Sequence, residues 1–258
     1  MSPNKEMSAI TKDNLDAFLK DLGKEYRKLA GKKMPAEIVL VGGAAVLAKY
    51  GFRELTYDID AIIFAASAMK DAISQIRYKY NLPHDWLNAD FRKTTSYTDK
   101  LLEVSVYYKT FSNILTIRTI TAEYLLAMKL MSGRTTKYDL SDIVGILWEH
   151  QKENAPISRK AVENAILLLY GNDVEIPETS VSFMNSVFDV LDYEALYHEA
   201  REAEIEAKQK ELELRNTQAN LIKEESVIYN IDTRNQEHYT AQKQSLLKKL
   251  EEKRTTKT

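Results

Sequence analysis

Two aspartates separated by one residue, Asp58 and Asp60, stand in the otherwise apolar stretch 57–64. The β-branched residues of this stretch predict a buried strand. Side chains two apart on a strand share a face, with Cα atoms roughly 6.5–7 Å apart, so both carboxylates would point the same way. Burying two like charges is costly unless a cation lies between them, which favours a divalent-metal site. In the simpler alternative, Asp60 ends or flanks the strand and Asp58 meets a surface Lys or Arg.

A glycine pair, Gly42-Gly43, lies upstream between a predicted strand over 38–41 and a predicted helix over 44–50. The bare N–H groups of such a turn and the positive end of the helix dipole attract phosphate. Mg²⁺ takes one or two protein carboxylates together with waters and substrate phosphates. Phosphate on the turn and a metal ion on the Asp58–Asp60 pair would therefore form a nucleotide site.

These residues carry a family resemblance. Val41-Gly42-Gly43 followed by Asp58-Ile59-Asp60 resembles the first motif of the polymerase-β-type nucleotidyltransferase superfamily. The intervening Arg53-Glu54-Leu55-Thr56 looks like the lead-in found in its AbiEii/MenT-like toxin branch. The stretch 126–134, followed by 138–143, is similar to the second motif of that branch. Together the matches cover residues 36–150.

The resemblance implies an α/β nucleotidyltransferase fold, a mixed sheet flanked by helices, and a Mg²⁺- or Mn²⁺-dependent transfer of NMP from an NTP. The acceptor in this branch is often an RNA, at the tRNA 3′ end, or a protein. The biological effect is growth arrest in a toxin–antitoxin or phage-defence system, and an antitoxin would be a partner. Small-molecule nucleotidylation of the antibiotic-resistance type is a weaker alternative, because it lacks the 129–142 stretch.

The same resemblance assigns roles to residues. Asp58 and Asp60 would hold the metal and be catalytic, and Lys129 would be catalytic and contact the triphosphate. The other expected nucleotide or phosphate contacts are Gly42, Gly43, Thr56, Arg134 and Asp142. Structural alternatives remain for the second motif: Asp139 stands at a capping-box position, and Arg134 and Asp142 are placed for an ion pair between two helices.

A third acid is expected on a later strand, flanked by hydrophobic residues. Glu103 fits best, within a predicted strand over 101–108, and it would orient or deprotonate the attacking hydroxyl. Asp99 is the fallback. The alternative is an edge-strand glutamate that faces water.

Composition narrows the class of protein. Hydrophobic residues make up 44% and charged residues 29% of the 258, as in soluble globular proteins. The absence of cysteine excludes disulfides and cysteine nucleophiles, and the four scattered histidines make a zinc site a poor expectation. With a net charge of −2, RNA binding would need a local basic patch. No signal peptide or membrane span is predicted, so we expect a cytoplasmic protein with no membrane partner.

Periodicity predicts the remaining elements. Helices are expected over 8–30, 66–80, 121–132, 136–150 and 158–170, and a further strand over 114–118. Trp86 is expected to anchor the core beneath a loop.

These elements suggest four parts: an N-terminal helix (1–35), a nucleotidyltransferase core (36–120), a helical subdomain (121–175) and a long helical extension (176–258). The extension has sparse apolar residues, and it would pack on its own domain, a second copy or a partner. A competing hypothesis follows, in which the core is non-catalytic and the protein acts through this helical tail.

Overall fold

The computed structural model describes residues 8–132, 139–206 and 209–210. Residues 1–204 form one compact unit and residues 205–258 a second, which is described at only four positions. Arg134, the first residues of the helix predicted over 136–150 and most of the extension predicted over 176–258 lie outside the described residues.

The predicted fold class is confirmed, because helices flank a mixed five-stranded sheet. In chain order the elements are β1 (Ile10–Thr11), α1 (Lys12–Ala30), β2 (Ala36–Leu40), α2 (Gly42–Lys49), β3 (Leu55–Thr56), β4 (Ile59–Phe64), α3 (Ala68–Tyr80), β5 (Leu87–Asn88), β6 (Ser105–Phe111), β7 (Leu115–Ile120), α4 (Ala122–Ser132), α5 (Asp139–Lys152), α6 (Arg159–Tyr170) and α7 (Glu178–Val187). The five-stranded sheet has the order β5-β4-β2-β7-β6, and β1 and β3 form a separate antiparallel pair.

Strand direction decides which residues meet at one edge of the sheet. β2 is parallel to β7 and antiparallel to β4, and β6 is antiparallel to β7. The ends of β2 and β7 therefore lie at the same edge as the beginnings of β4 and β6. This edge carries the Gly42 turn and Asp60.

The core is built by helices whose apolar faces cover the sheet. The predicted N-terminal helix is α1, which Thr11 precedes as N-cap and Gly31, with φ +81°, ends. Gly23 of α1 allows a close approach, because a Cβ there would lie 3.2 Å from the Cβ of Phe111. Trp86 is fully buried and donates from Nε1 to the Ile73 carbonyl at 3.1 Å, so its predicted role as a core anchor is confirmed.

Two strand boundaries differ from the prediction. β4 begins at Ile59, so Asp58 precedes the strand rather than lying in it. β6 begins at Ser105, not at residue 101, because the backbone N–H groups of Glu103 and Val104 both bond to the Lys100 carbonyl. These local hydrogen bonds close a turn before the sheet ladder starts.

The chain after α6 belongs to the same compact unit as far as residue 204. In α7, the buried Ser180 hydroxyl donates to the Leu130 carbonyl at 2.6 Å. Residues 193–204 are again helical, and they bury Tyr193, Tyr197 and Glu204. The helical extension predicted over 176–258 is therefore interrupted at 188–192, and residues 193–204 contribute to a packed structure.

Candidate functional site

The glycine turn faces one of the two aspartates. Val41 donates its N–H to the Asp60 carbonyl at 3.0 Å, and Gly42 then turns the chain with φ +54° into α2. A Cβ placed on Gly42 would lie 3.8 Å from Oδ2 of Asp60. The carboxylate of Asp60 is therefore adjacent to the start of α2, where helix N–H groups and the helix dipole favour an anion.

Asp58 is exposed, and its neighbour Thr56 constrains it. The buried Thr56 hydroxyl is 3.1 Å from the carbonyl oxygen of Asp58 and 3.2 Å from its Oδ1, and its proton is donated to these two acceptors. Thr56 was predicted as a nucleotide contact. In the structure its hydroxyl contacts Asp58 and limits the orientations that this carboxylate can adopt.

Arg53 adds a positive charge at the turn, and the sequence assigned it no role beyond membership of the motif. A Cβ built on Gly43 would lie 2.6 Å from Nη2 and 2.8 Å from Cζ of Arg53. The guanidinium thus occupies the space that a side chain at position 43 would need. Its position in the motif between the glycines and the aspartates is the sequence signal that identifies it.

Arg53 also belongs to what we call the buried charge cluster: Arg53, Lys129, Asp139 and Asp142. The Lys129 Nζ lies 2.8 Å from Oδ1 of Asp139 and 2.8 Å from Oδ2 of Asp142, while Arg53 pairs with Asp142. The Ser132 hydroxyl donates to Oδ2 of Asp139 at 2.8 Å. Two cations and two carboxylates therefore neutralise one another beside the glycine turn.

The Lys129 ammonium keeps its charge in this buried position. Burial alone would lower the pKa of Lys129, but the carboxylates of Asp142 and Asp139 outweigh it and raise this pKa above its usual value. With only 6% of its side chain exposed, Lys129 is held by two carboxylates. Asp139 likewise uses both carboxylate oxygens for side-chain partners, so it does more than cap a helix.

The helical segment 193–204 contributes two contacts that sequence reasoning did not identify. Glu204 accepts hydrogen bonds from the N–H groups of Leu140 and Ser141, at 3.0 and 3.1 Å, and from the Ser141 hydroxyl at 2.6 Å. Burial raises the pKa of Glu204, although the bonds from Ser141 oppose this shift. Tyr197 donates to the Phe52 carbonyl at 2.9 Å. No local pattern signals contacts across more than sixty residues.

The predicted third acid lies outside the sheet, just before β6. Glu103 is exposed in the turn before β6, and Asp99 accepts a hydrogen bond from Tyr97. Within residues 8–132, 139–206 and 209–210, no group of three or more His, Asp or Glu side chains could hold a metal ion. The structure therefore brings Asp60 to the glycine turn, Thr56 to Asp58 and Lys129 to Asp142, and Glu103 lies before β6, which begins at the edge of the sheet that carries the turn.

The donor chemistry at the turn fits a small divalent cation. Asp60 presents a carboxylate at the turn, and Asp58 carries a second one two residues earlier. Mg²⁺ and Mn²⁺ prefer carboxylate oxygens, and substrate phosphates and waters complete such sites. Gly42 has no side chain to cover the face of Asp60. Two protein carboxylates are the usual protein share of a Mg²⁺–nucleotide site, so a third acid is not required for the fit.

Comparison with known proteins points to one activity class. Residues 17–149 match a family model described as "Nucleotidyltransferase of unknown function (DUF6036)". An antigenic nucleotidyltransferase-like protein from Paracoccidioides brasiliensis, known from a crystal structure, shares 12% identity. That match covers 64% of this chain and 100% of the other, with a TM-score of 0.36. No curated protein matches the chain. Among the described residues, no helix is long and apolar enough to cross a membrane.

Proposed function

The chain belongs to the family described as nucleotidyltransferases of unknown function (DUF6036), and from this premise we propose that it transfers NMP from an NTP to an RNA or protein acceptor. The observation that carries the proposal is the approach of the Asp60 carboxylate to the Gly42 turn at the start of α2. A carboxylate and an anion-binding turn at one point are what a metal–triphosphate complex requires.

In the proposed reaction, an acceptor hydroxyl attacks the α-phosphorus of the NTP, the new oxygen–phosphorus bond forms and pyrophosphate leaves. The N–H groups at the Gly42-Gly43 turn bind phosphate oxygens, and Arg53 adds positive charge beside them. Thr56 restrains Asp58. A Mg²⁺ or Mn²⁺ ion held by Asp58 and Asp60 would neutralise the negative charge that develops on the phosphate oxygens.

The residues of the second motif take an indirect role in this proposal. Lys129 and Asp142 are buried against each other, so they act through Arg53, which shares Asp142 with Lys129. Arg134 remains a proposed phosphate contact outside the described residues. Glu103 remains a proposed base for the acceptor hydroxyl, and its exposed position in the turn before β6 leaves it accessible to a bound acceptor.

The acceptor and the biological role rest on the motif resemblance alone. We propose the tRNA 3′ end, or a protein, as the acceptor, and toxin activity in a toxin–antitoxin or phage-defence system as the role. An antitoxin, or self-association through the C-terminal helices, would then supply control.

A non-catalytic interaction module is the second candidate. It is favoured by one observation: Lys129 and Asp142, which the motif resemblance assigns to the triphosphate, are buried against each other. A thermal-shift measurement with an NTP and Mg²⁺ distinguishes the two candidate functions. An enzyme of the proposed kind should gain stability from the nucleotide, whereas a module that has lost its site should not.

Transfer of α-phosphate label tests the proposal. Each of the four NTPs is incubated with the protein, Mg²⁺ or Mn²⁺, and total tRNA, beside an Asp58→Ala/Asp60→Ala double variant. Label on RNA that disappears in the double variant supports the proposal and identifies donor and acceptor. Label on the protein alone indicates a protein acceptor. No label with any donor, together with no thermal shift, contradicts the proposal.

A further inference from the structure

The carboxylate of Glu204 is attached to the start of α5 by three hydrogen bonds. Its Oε1 accepts hydrogen bonds from the N–H groups of Leu140 and Ser141 at 3.0 and 3.1 Å, and its Oε2 accepts one from the Ser141 hydroxyl at 2.6 Å. Glu204 is only 3% exposed, so these bonds form in a region from which water is largely excluded. Three hydrogen bonds to one buried side chain hold it in a single orientation. The contact therefore restrains the backbone immediately before Asp142.

Glu204 restrains the residue before Asp142, and Tyr197 restrains the residue before Arg53, the ion-pair partner of Asp142. The Tyr197 hydroxyl donates to the Phe52 carbonyl at 2.9 Å, and the Tyr197 ring meets the Phe52 ring edge-on with centroids 5.4 Å apart. The Phe52 ring also packs on α5, because a Cβ on Gly145 would lie 2.5 Å from it. The Tyr197 ring stacks on Trp148 of α5 at 5.6 Å. Phe52 is thus enclosed by α5 and Tyr197.

The two contacts restrain the residues next to Arg53 and Asp142. Phe52 directly precedes Arg53, and Ser141 directly precedes Asp142. Arg53 and Asp142 form the ion pair that places the guanidinium against Gly43. A shift of either backbone segment would move that guanidinium relative to the turn.

We propose that Tyr197 and Glu204 are positioning residues for the nucleotide site, and that the helical segment 193–204 is needed to hold Arg53 at the glycine turn. The inference deepens the proposed function and rests on it. It also assigns a role to part of the predicted C-terminal extension: this part completes the nucleotide site of its own chain rather than serving only a partner.

Tyr197→Phe tests the inference, with Tyr170→Phe as the matched control. Each change removes one hydroxyl that donates to a backbone carbonyl, since Tyr170 donates to the Ser96 carbonyl at 2.7 Å. Both variants keep their rings and should lose similar amounts of stability toward urea. Only Tyr197→Phe should raise the KM for the NTP, by about five- to tenfold, the equivalent of one hydrogen bond.

Glu204 supplies a second, independent pair of variants. Glu204→Gln keeps an oxygen that can accept from the Leu140 and Ser141 N–H groups, so its KM should stay within about twofold of wild type. Glu204→Ala removes every acceptor and should raise the KM about tenfold or more. The unfolding free energies of both variants are measured alongside the KM. A KM restored by glutamine would then separate a positioning role of Glu204 from a general loss of stability.

The outcomes distinguish the inference from the proposed function. If wild type transfers label but Tyr197→Phe and Glu204→Ala leave the KM of the NTP unchanged, the inference is wrong and the proposed function stands. If Tyr170→Phe raises the KM as much as Tyr197→Phe, the effect reflects stability alone and the inference is also wrong. If wild type neither binds nor transfers any NTP, both fail.

Discussion

The guanidinium of Arg53 lies against Gly43 so closely that a Cβ on that glycine would come within 2.6 Å of Nη2. Cβ atoms in proteins essentially never come this close to another heavy atom, so an added Cβ would have to displace the guanidinium. The ion pair with Asp142 opposes such a displacement. The glycine at position 43 is therefore explained by the side chain above it. By contrast, Gly42 is explained by its backbone, which has φ +54°.

Gly43→Ala should impair nucleotide transfer because its methyl group displaces the Arg53 guanidinium. A displacement of about 1 Å at a reacting site can lower kcat/KM by about 100-fold. Gly51→Ala is the control, since a Cβ there meets no atom within 4 Å. Steady-state kinetics of both variants check the prediction, and it is contradicted if Gly43→Ala and Gly51→Ala transfer label equally well.

Lys129→Ala should be strongly destabilising because it leaves the carboxylates of Asp139 and Asp142 buried with fewer positive partners. Breaking a buried ion pair on one side typically costs about 3–5 kcal/mol. Lys93→Ala is the control, because the Lys93–Asp90 pair is 80% and 68% exposed at its two side chains. That pair should contribute at most about 1 kcal/mol. Urea unfolding of both variants measures the difference, and equal losses would show that the cluster is not structurally important.

Stability should depend on pH through Glu204. Its pKa is raised above the ordinary 4.5 by burial, with Asp142 adding to the shift, so the folded protein binds the proton more tightly than the unfolded chain. This contribution is complete below about pH 4.5 and is lost as the pH rises through the raised value. Wild type should therefore lose stability relative to Glu204→Gln as the pH rises above about 4.5. A difference in unfolding free energy that stays constant, or grows in favour of wild type, would contradict the assignment.

Thr119→Val should leave the protein equally stable or more stable. The Thr119 hydroxyl is buried at the end of β7 and has no hydrogen-bond partner among the described residues. An unsatisfied buried hydroxyl costs about 1–3 kcal/mol, and valine removes it at nearly constant volume. Thr56→Val makes the same change where the hydroxyl bonds to Asp58, and it should lower both stability and transfer. Thermal unfolding compares the two, and a large loss of stability in Thr119→Val would contradict the prediction.

Much of the local structure could be predicted because it depends on neighbours in the sequence. The apolar run, the glycine turn and the second apolar run are enough to place Gly42 and Asp60 close together. The role of Glu103 was harder to predict. Its hydrophobic neighbours suggested a strand, but local bonds to the Lys100 carbonyl prevailed over β propensity.

The contacts of the C-terminal segment could not be predicted from periodicity. The sparse apolar residues left open whether the extension packs on its own domain, a second copy or a partner, and Tyr197 and Glu204 are buried on residues far away in the same chain. The contact between Glu204 and Ser141 spans 63 positions, and Tyr197 and Phe52 are separated by 145. Neither leaves a pattern in the sequence around it, so only the tertiary structure reveals them.

The central claim is that Asp58 and Asp60 make this turn a metal-dependent nucleotide site. The most direct measurement is label transfer against Mn²⁺ concentration for wild type, Asp60→Asn and Asp71→Asn, the last being an exposed aspartate on α3. We predict metal-dependent transfer by wild type and Asp71→Asn, and none by Asp60→Asn with its fold intact. Undiminished transfer by Asp60→Asn, or equal loss in both variants, would contradict the claim.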